Sequence, residues 1–175
     1  MPLGSDQFHI RLARINEVER LREIEDAAGE LFNGLGLLDE GNDPGLALER
    51  IAALIELEQA WVICGPDERP VGMAVASDLG GELYLEEIDV LPAYGRQGLG
   101  ARLLEYICDW AKAKGFVTVT LSTFRDVAWN GPFYRKHGFS DLVEHQWDDS
   151  MYDIRTKESQ YGLRVEERVF MRRIL

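Results

Sequence analysis

Three glycines within six residues, in Gly95-Arg96-Gln97-Gly98-Leu99-Gly100-Ala101, stand just before a long amphipathic run. Glycine lets backbone approach a ligand closely, and successive N–H groups backed by a helix N-terminus form a nest for an anion. Two familiar phosphate-binding patterns fail on the letters. A dinucleotide-binding GxGxxG opening at Gly98 needs Gly or Ala at position 103, where Leu103 stands. A P-loop needs Gly-Lys-Ser/Thr, and that triplet is absent. About 35 residues further on, Trp129-Asn130-Gly131-Pro132-Phe133-Tyr134 supplies a carboxamide and a phenol. Upstream, Glu86 and Glu87 supply adjacent carboxylates. A phenol titrates near ~10 in free peptides, so the Tyr134 hydroxyl is protonated at neutral pH and has the type of a proton donor. A glutamate takes a proton from an ammonium only when burial or a neighbouring carboxylate raises its proton affinity. Adjacent strand residues face opposite ways, so Glu86 shares a face with Ile88 and Val90, and Glu87 shares one with Asp89. A bulge would shift that alternation.

The elements that position these groups are legible from periodicity. Phe8–Leu12 alternates as a half-buried strand, Asn16 reads as an N-cap, and 17–31 has helical spacing at Val18, Leu21, Ile24, Ala28 and Leu31. Gly34, Gly36 and Gly41 predict a flexible stretch ending near Asp43-Pro44, followed by a helix from Pro44 to Gln59. Trp61–Cys64 and Val71–Ser77 form a hairpin across Pro66–Pro70, and Gly80-Gly81 turns the chain into a strand over 82–91. A helix over 98–114 carries Leu99, Leu103, Leu104, Ile107, Trp110 and Ala111 as one stripe and stops at Gly115. Val117–Leu121 is a β-branched strand, and a short helix follows Asn130-Gly131-Pro132 and ends at Gly138. Asn130 has the type and place of an N-cap for it, and Tyr134 also reads as a core aromatic beside Phe133 and Phe139. Two strand-like runs, Leu142–Trp147 and Arg164–Arg172, close the chain, with a polar stretch between them. The order β-α-α-β-β-β-α-β-α-β-β predicts an α/β (α+β) fold, a mixed central sheet of about six to seven strands flanked by helices on both faces.

Gly98-Leu99-Gly100 matches the second half of the Arg/Gln-x-x-Gly-x-Gly/Ala pattern, and the chain here resembles the GNAT superfamily of N-acetyltransferases. Glu87-Ile88-Asp89-Val90-Leu91-Pro92 is similar to that family's acetyl-CoA-contacting strand and its proline exit. Asn130, Phe133-Tyr134 and Gly138-Phe139 resemble its late motif, and Arg168–Arg172 its closing strand. Gly95 stands where the family has Arg or Gln, with Arg96 beside it, so the backbone cradle is kept and the usual side chain is missing or displaced by one. The resemblance implies an acetyl-CoA-dependent N-acetyltransferase that acetylates a primary amine by direct attack in a ternary complex. It assigns Tyr134, Glu86 and Glu87 to catalysis. Ile88, Asp89, Val90, Gly95, Arg96, Gln97, Gly98, Leu99, Gly100, Ala101, Asn130 and Phe133 are assigned to the cofactor. The Val90 amide or its neighbour would polarise the thioester carbonyl, a donor of a kind that contributes roughly 10²–10³ in rate. The alternative is a GNAT-fold sensor or scaffold that holds acyl-CoA without turnover.

Length and composition set the frame. The chain has 175 residues, 46% hydrophobic and 29% charged, which suits one globular domain over 8–175 behind a tail at 1–7, native or a cloning remnant. No run approaches the ~18 apolar residues of a membrane span, and the start lacks a secretory pattern, so a cytoplasmic protein is expected. The net charge of −12 argues against nucleic-acid binding. Its distribution is uneven. Residues 1–60 carry 13 acids and 5 basic residues, while 91–140 carry 3 and 7. That asymmetry fits a cationic amine on one side and CoA phosphates on the other. Cys64 and Cys108 lie in apolar patterns and are expected as buried thiols, and no ligand spacing suggests a metal. A homodimer is compatible with the resemblance.

Overall fold

The computed structural model describes residues 7–38 and 45–175. Residues 1–6 of the expected tail, and the part of the glycine-broken stretch with Gly41 and Asp43-Pro44, lie outside the described residues. Seven strands form one mixed sheet in the order β1-β2-β3-β4-β5-β7-β6. They are β1 (His9–Leu12), β2 (Ala60–Cys64), β3 (Pro70–Asp78), β4 (Glu82–Val90), β5 (Thr118–Phe124), β6 (Ser140–Leu142) and β7 (Arg168–Ile174). Five α-helices join them: α1 (Val18–Gly29), α2 (Leu48–Glu56), α3 (Leu99–Ala113), α4 (Gly131–Lys136) and α5 (Asp149–Gln160). β4 and β5 are parallel, whereas β1–β2, β2–β3, β5–β7 and β6–β7 are antiparallel. By its contacts the chain divides into two compact units, the first comprising 7–31, 45–77 and 85–110, the second 32–38, 78–84 and 111–175.

In the first unit the apolar faces of α1 and α2 decide the packing. Leu21, Ile24, Ile51 and Leu54 close over Ala60, Val62 and Cys64 of β2 and Met73 and Val75 of β3. Burying each such Leu or Ile is worth about 1.5–3 kcal/mol. The other face of β2 presents Trp61, whose ring meets Trp110 of α3 edge-on at 4.9 Å. Helices therefore cover both faces of β2, as the sequence predicts. Gly72 of β3 lies on the α3 side, and a Cβ there would meet Ile63 at 2.8 Å and the Asp89 carbonyl oxygen at 2.9 Å, so only glycine fits.

Asn16 does not cap α1; it sits within a 3₁₀ turn over Ile15–Glu17. The acceptor is Glu17, whose carboxylate takes the Arg14 N–H at 2.8 Å and the Arg11 guanidinium at 2.6 and 2.9 Å. Burial disfavours ionised Glu17, but the hydrogen bonds from Arg11 and Arg14 outweigh it and hold its pKa below the ordinary 4.5. A lowered folded-state pKa contributes stability above the unfolded value, lost as pH falls through the folded one. Thermal melts should accordingly show a gap between wild type and Glu17→Gln at neutral pH that closes as pH drops below about 4.5.

The second unit is built on β5 and β7, paired from Thr118↔Ile174 to Phe124↔Arg168. Glu82 of β4 gathers the hydroxyls of Thr118 and Thr120 at 2.9 and 2.5 Å and Arg172 Nε at 2.7 Å. The polar stretch before the last strand is a helix, α5, which the sequence reading leaves without structure. Its sequence lacks an apolar stripe, and its buried residues are Met151 and Glu158. Two things hold it: an Asp148 N-cap accepting the Met151 N–H, and Glu158 clasped by Arg155 at 2.7 Å and Arg168 at 2.9 Å. The run expected as a strand over Leu142–Trp147 is strand only to Leu142. A 3₁₀ turn follows, and Trp147 packs with Leu142, Met151 and Phe170. Among the described residues no helix is long and apolar enough to cross a membrane. Cys64 and Cys108 are buried, and neither is in a disulfide.

Candidate active site

The glycine loop and its flanking strand belong to the first unit. After β4, a short 3₁₀ turn over Pro92–Tyr94 delivers the chain to Gly95. Arg96 then takes φ +58° and Gly98 φ +76°, two left-handed steps that fold the loop onto the start of α3. The turn over Gly95-Arg96 uses the Gln97 N–H; among the described residues the N–H groups of Gly98, Leu99, Gly100 and Ala101 have no backbone acceptor, and the ladder resumes with Arg102 N–H to the Gly98 carbonyl at 3.0 Å. A helix leaves its first four N–H groups unpaired in this way. Gly95, Arg96, Gln97 and Gly98 are exposed. Leu99 is buried, so it contributes its N–H to the row while its side chain serves the core.

The left-handed Arg96 is a consequence of residue order. That conformation costs a non-glycine residue roughly 1–2 kcal/mol, and glycine stands one place earlier, at Gly95, where φ is −62° and a Cβ would meet the Pro92 carbonyl oxygen at 3.2 Å.

β4 carries both glutamates, and its contacts break strict alternation. Glu86 turns to the α2 side, where Arg50 donates to it from Nη2 to Oε1 and from Nε to Oε2. Val90 reaches the opposite side, its Cγ2 lying 3.1 Å from where a Gly72 Cβ would stand. The next residue, Leu91, packs against the α1–α2 core. Positions 86 and 90 would share a face in an unbroken strand, so one irregular step separates them, as a bulge supplies. The expected grouping of Glu86 with Val90 is therefore corrected. Glu87, Ile88 and Asp89 are half-buried. The pairing of β4 with β5 covers Glu82–Tyr84 against Thr118–Thr120.

Arg50 escapes the sequence reading, although it leaves a trace: it is the single basic residue between Pro44 and Gln59, among Glu49, Glu56 and Glu58. In the same unit the Cys64 thiol is pushed up by burial, away from the thiolate a nucleophile needs.

The late motif belongs to the second unit. Asn130 precedes α4 without capping it through its side chain. Instead its Nδ2 donates to Thr123 Oγ1 of β5 at 2.8 Å, and its buried Oδ1 has no hydrogen-bond partner among the described residues. A buried, unused acceptor is costly, and this one suits an N–H donor from a ligand. Tyr134 is 7% exposed, edge-on to Phe133 at 5.2 Å and to Phe139 at 5.7 Å. Phe133 also stacks on His137 at 4.7 Å. Gly131 is fixed by its neighbours, since a Cβ would lie 2.1 Å from the Arg125 carbonyl oxygen. No cluster of three His, Cys, Asp or Glu that could hold a metal ion occurs among the described residues.

Solved structures share this architecture. The PaiA N-acetyltransferase of Thermoplasma acidophilum, in complex with coenzyme A, superposes with a TM-score of 0.75 at 17% identity over 96% of this chain and 99% of that one. The ribosomal-protein-S18-alanine N-acetyltransferase of Escherichia coli gives 0.68 at 18% identity, covering 95% and 93%. N-acetylglutamate synthase from Neisseria gonorrhoeae, complexed with coenzyme A and N-acetyl-glutamate, gives 0.72 at 19% over 96% of this chain, which spans 35% of that protein. At such identities the likeness is one of fold. The sequence pattern of the acetyltransferase (GNAT) family matches residues 21–139. A match over more than half of its length, on the strands, loop and late motif just described, makes the chain a member of the acetyltransferase (GNAT) family.

Proposed function

We propose that this protein is an acetyl-CoA-dependent N-acetyltransferase, working over residues 8–175, that acetylates a primary amine by direct attack. The observation that carries the reading is the row of N–H groups without a backbone acceptor from Gly98 to Ala101 at the start of α3. Such a row is a site for a diphosphate, because its partial positive charges converge and no side chain has to be desolvated. The orphaned Oδ1 of Asn130 supplies an acceptor for an amide N–H such as pantetheine carries.

The chemistry follows from the groups at hand. The substrate ammonium loses a proton to a carboxylate of β4. Glu86 and Glu87 are the two candidates, and Glu86 would receive it by giving up its Arg50 pair. The free amine forms a C–N bond at the thioester carbonyl, the Val90 amide stabilises the developing oxyanion, and the C–S bond breaks. The leaving sulfur takes the hydroxyl proton of Tyr134, and the nitrogen sheds its remaining extra proton to water. Products are the acetamide and free thiol. The raised Cys64 pKa supports direct attack over an acyl-cysteine route.

Calorimetric titration with coenzyme A tests the reading; one-to-one association supports it, and no heat or binding to a chain with intact fold overturns it. Asn130→Ala should weaken coenzyme A binding about tenfold, the effect of losing one hydrogen bond to a buried acceptor, with the maximal rate of thiol release little changed. Arg96→Gly should separate two properties: stability rises by about 1 kcal/mol as the left-handed strain is relieved, while coenzyme A affinity falls by the charge removed. Melting temperature and calorimetry on the same sample check both signs.

A further inference from the structure

In the second unit, 32–38 and 124–129 together with Glu167 enclose a groove of about 370 Å³, a size typical of small-molecule sites at roughly 300–1,000 Å³. Its walls are Leu35, Leu37, Phe124 and Trp129. Phe32 backs the two aromatic walls, 5.4 Å from Phe124 and 5.8 Å from Trp129 between ring centroids. Trp129 is 46% exposed, an indole presented to solvent beside the groove. The charged side chains of the lining are both acids, Asp126 and Glu167. Four arginines lie in the neighbouring sequence: Arg125 donates to the carbonyls of Glu166 and Arg168, Arg135 pairs with Asp141, Arg164 with Glu166, and Arg168 pairs with Glu158 while covering one face of Phe124 at 4.7 Å. The groove is thus apolar and aromatic inside, Trp129 is its open aromatic face, and the charges on its own lining are carboxylates. Aromatic faces and carboxylates both attract an organic cation, the first by quadrupole and dispersion, the second by charge.

The loop that makes the groove runs straight on into the chemistry. Phe124 follows Thr123, which holds Asn130, and Trp129 precedes Asn130 directly. We infer that this groove receives the acceptor, and that the acceptor is a monoamine with an aromatic or branched apolar body, its ammonium drawn by Asp126 and Glu167. The acceptor role rests on the function proposed above; the binding itself does not. A free amino acid is disfavoured because its carboxylate meets two acids, and a polyamine because it has nothing to lay on Phe124 and Trp129.

The test compares 2-phenylethylamine with L-phenylalanine, spermidine and the uncharged 2-phenylethanol, first by calorimetry on the protein alone and then as acceptors in thiol release from acetyl-CoA. Phenylethylamine should bind at least about tenfold tighter than the other three, weakening with added salt as exposed carboxylates are screened. Trp129→Ala should weaken it about tenfold and Trp129→Phe restore most of the loss. Asp126→Asn and Glu167→Gln should each cost several-fold and abolish part of the salt dependence. Equal or tighter binding of spermidine or phenylalanine, or indifference to all the variants, overturns the groove while leaving acetyl transfer standing. Phenylethylamine binding with these responses but no thiol release keeps the groove and removes the catalytic reading.

Discussion

Replacing Tyr134 by phenylalanine should lower the maximal rate of acetyl transfer by about 10²–10³-fold, within the range of positioned acid catalysis, and leave coenzyme A affinity within about twofold. The packing argument makes the variant clean. Tyr134 is buried between Phe133 and Phe139, and phenylalanine retains both edge-to-face contacts while removing one oxygen. A steady-state comparison of kcat and KM, with calorimetric Kd alongside, separates proton donation from support. A fall in affinity as large as the fall in rate, or no fall in rate, would assign Tyr134 to the core alone. A steeper loss of rate at high pH in the wild type than in the variant is the companion signature, because only the wild type has a phenol to deprotonate.

Gly131→Ala should be the most damaging small substitution in the second unit. The added methyl would lie 2.1 Å from the Arg125 carbonyl oxygen and 2.9 Å from its carbon, both backbone atoms with no rotamer to escape into. Overpacking of this kind costs about 1–3 kcal/mol, and at about 2–4 °C per kcal/mol for a chain of this size the melting temperature should fall by about 5–10 °C. Relief requires the loop after β5 to move. Coenzyme A binding should therefore weaken together with stability, since Asn130 is anchored to Thr123 across that same loop. A melting temperature within a degree of wild type would show that the loop yields freely.

Much of this was readable before any coordinates. The stripe of α3, the hairpin of β2 and β3, and the glycine loop rest on periodicity and turn chemistry, which local sequence dictates. What stayed hidden was tertiary. α5 has no apolar stripe because its buried contacts are two residues and an ion cluster with Arg168, a residue from another strand. Asn16 falls inside the 3₁₀ turn before α1, where Glu17 is tied back to the Arg14 N–H and to Arg11 on the preceding strand. At the candidate site, the loop and late motif were legible as patterns. The pairing of Glu86 with Arg50 was not, since the two are 36 positions apart. The orphaned oxygen of Asn130 was invisible for a related reason: a polar atom's lack of a partner is a property of the folded neighbourhood.

The interrupted alternation along β4 also bears on how this chain can tolerate change in length. Excising a single residue between positions 86 and 90 would restore a regular pleat, and with it invert one end relative to the other. Either the carboxylate would turn from its guanidinium or the oxyanion donor would be re-aimed. Point substitutions there leave the geometry intact, whereas indels do not, so natural or laboratory variation in this strand should run to changes of residue type at constant length.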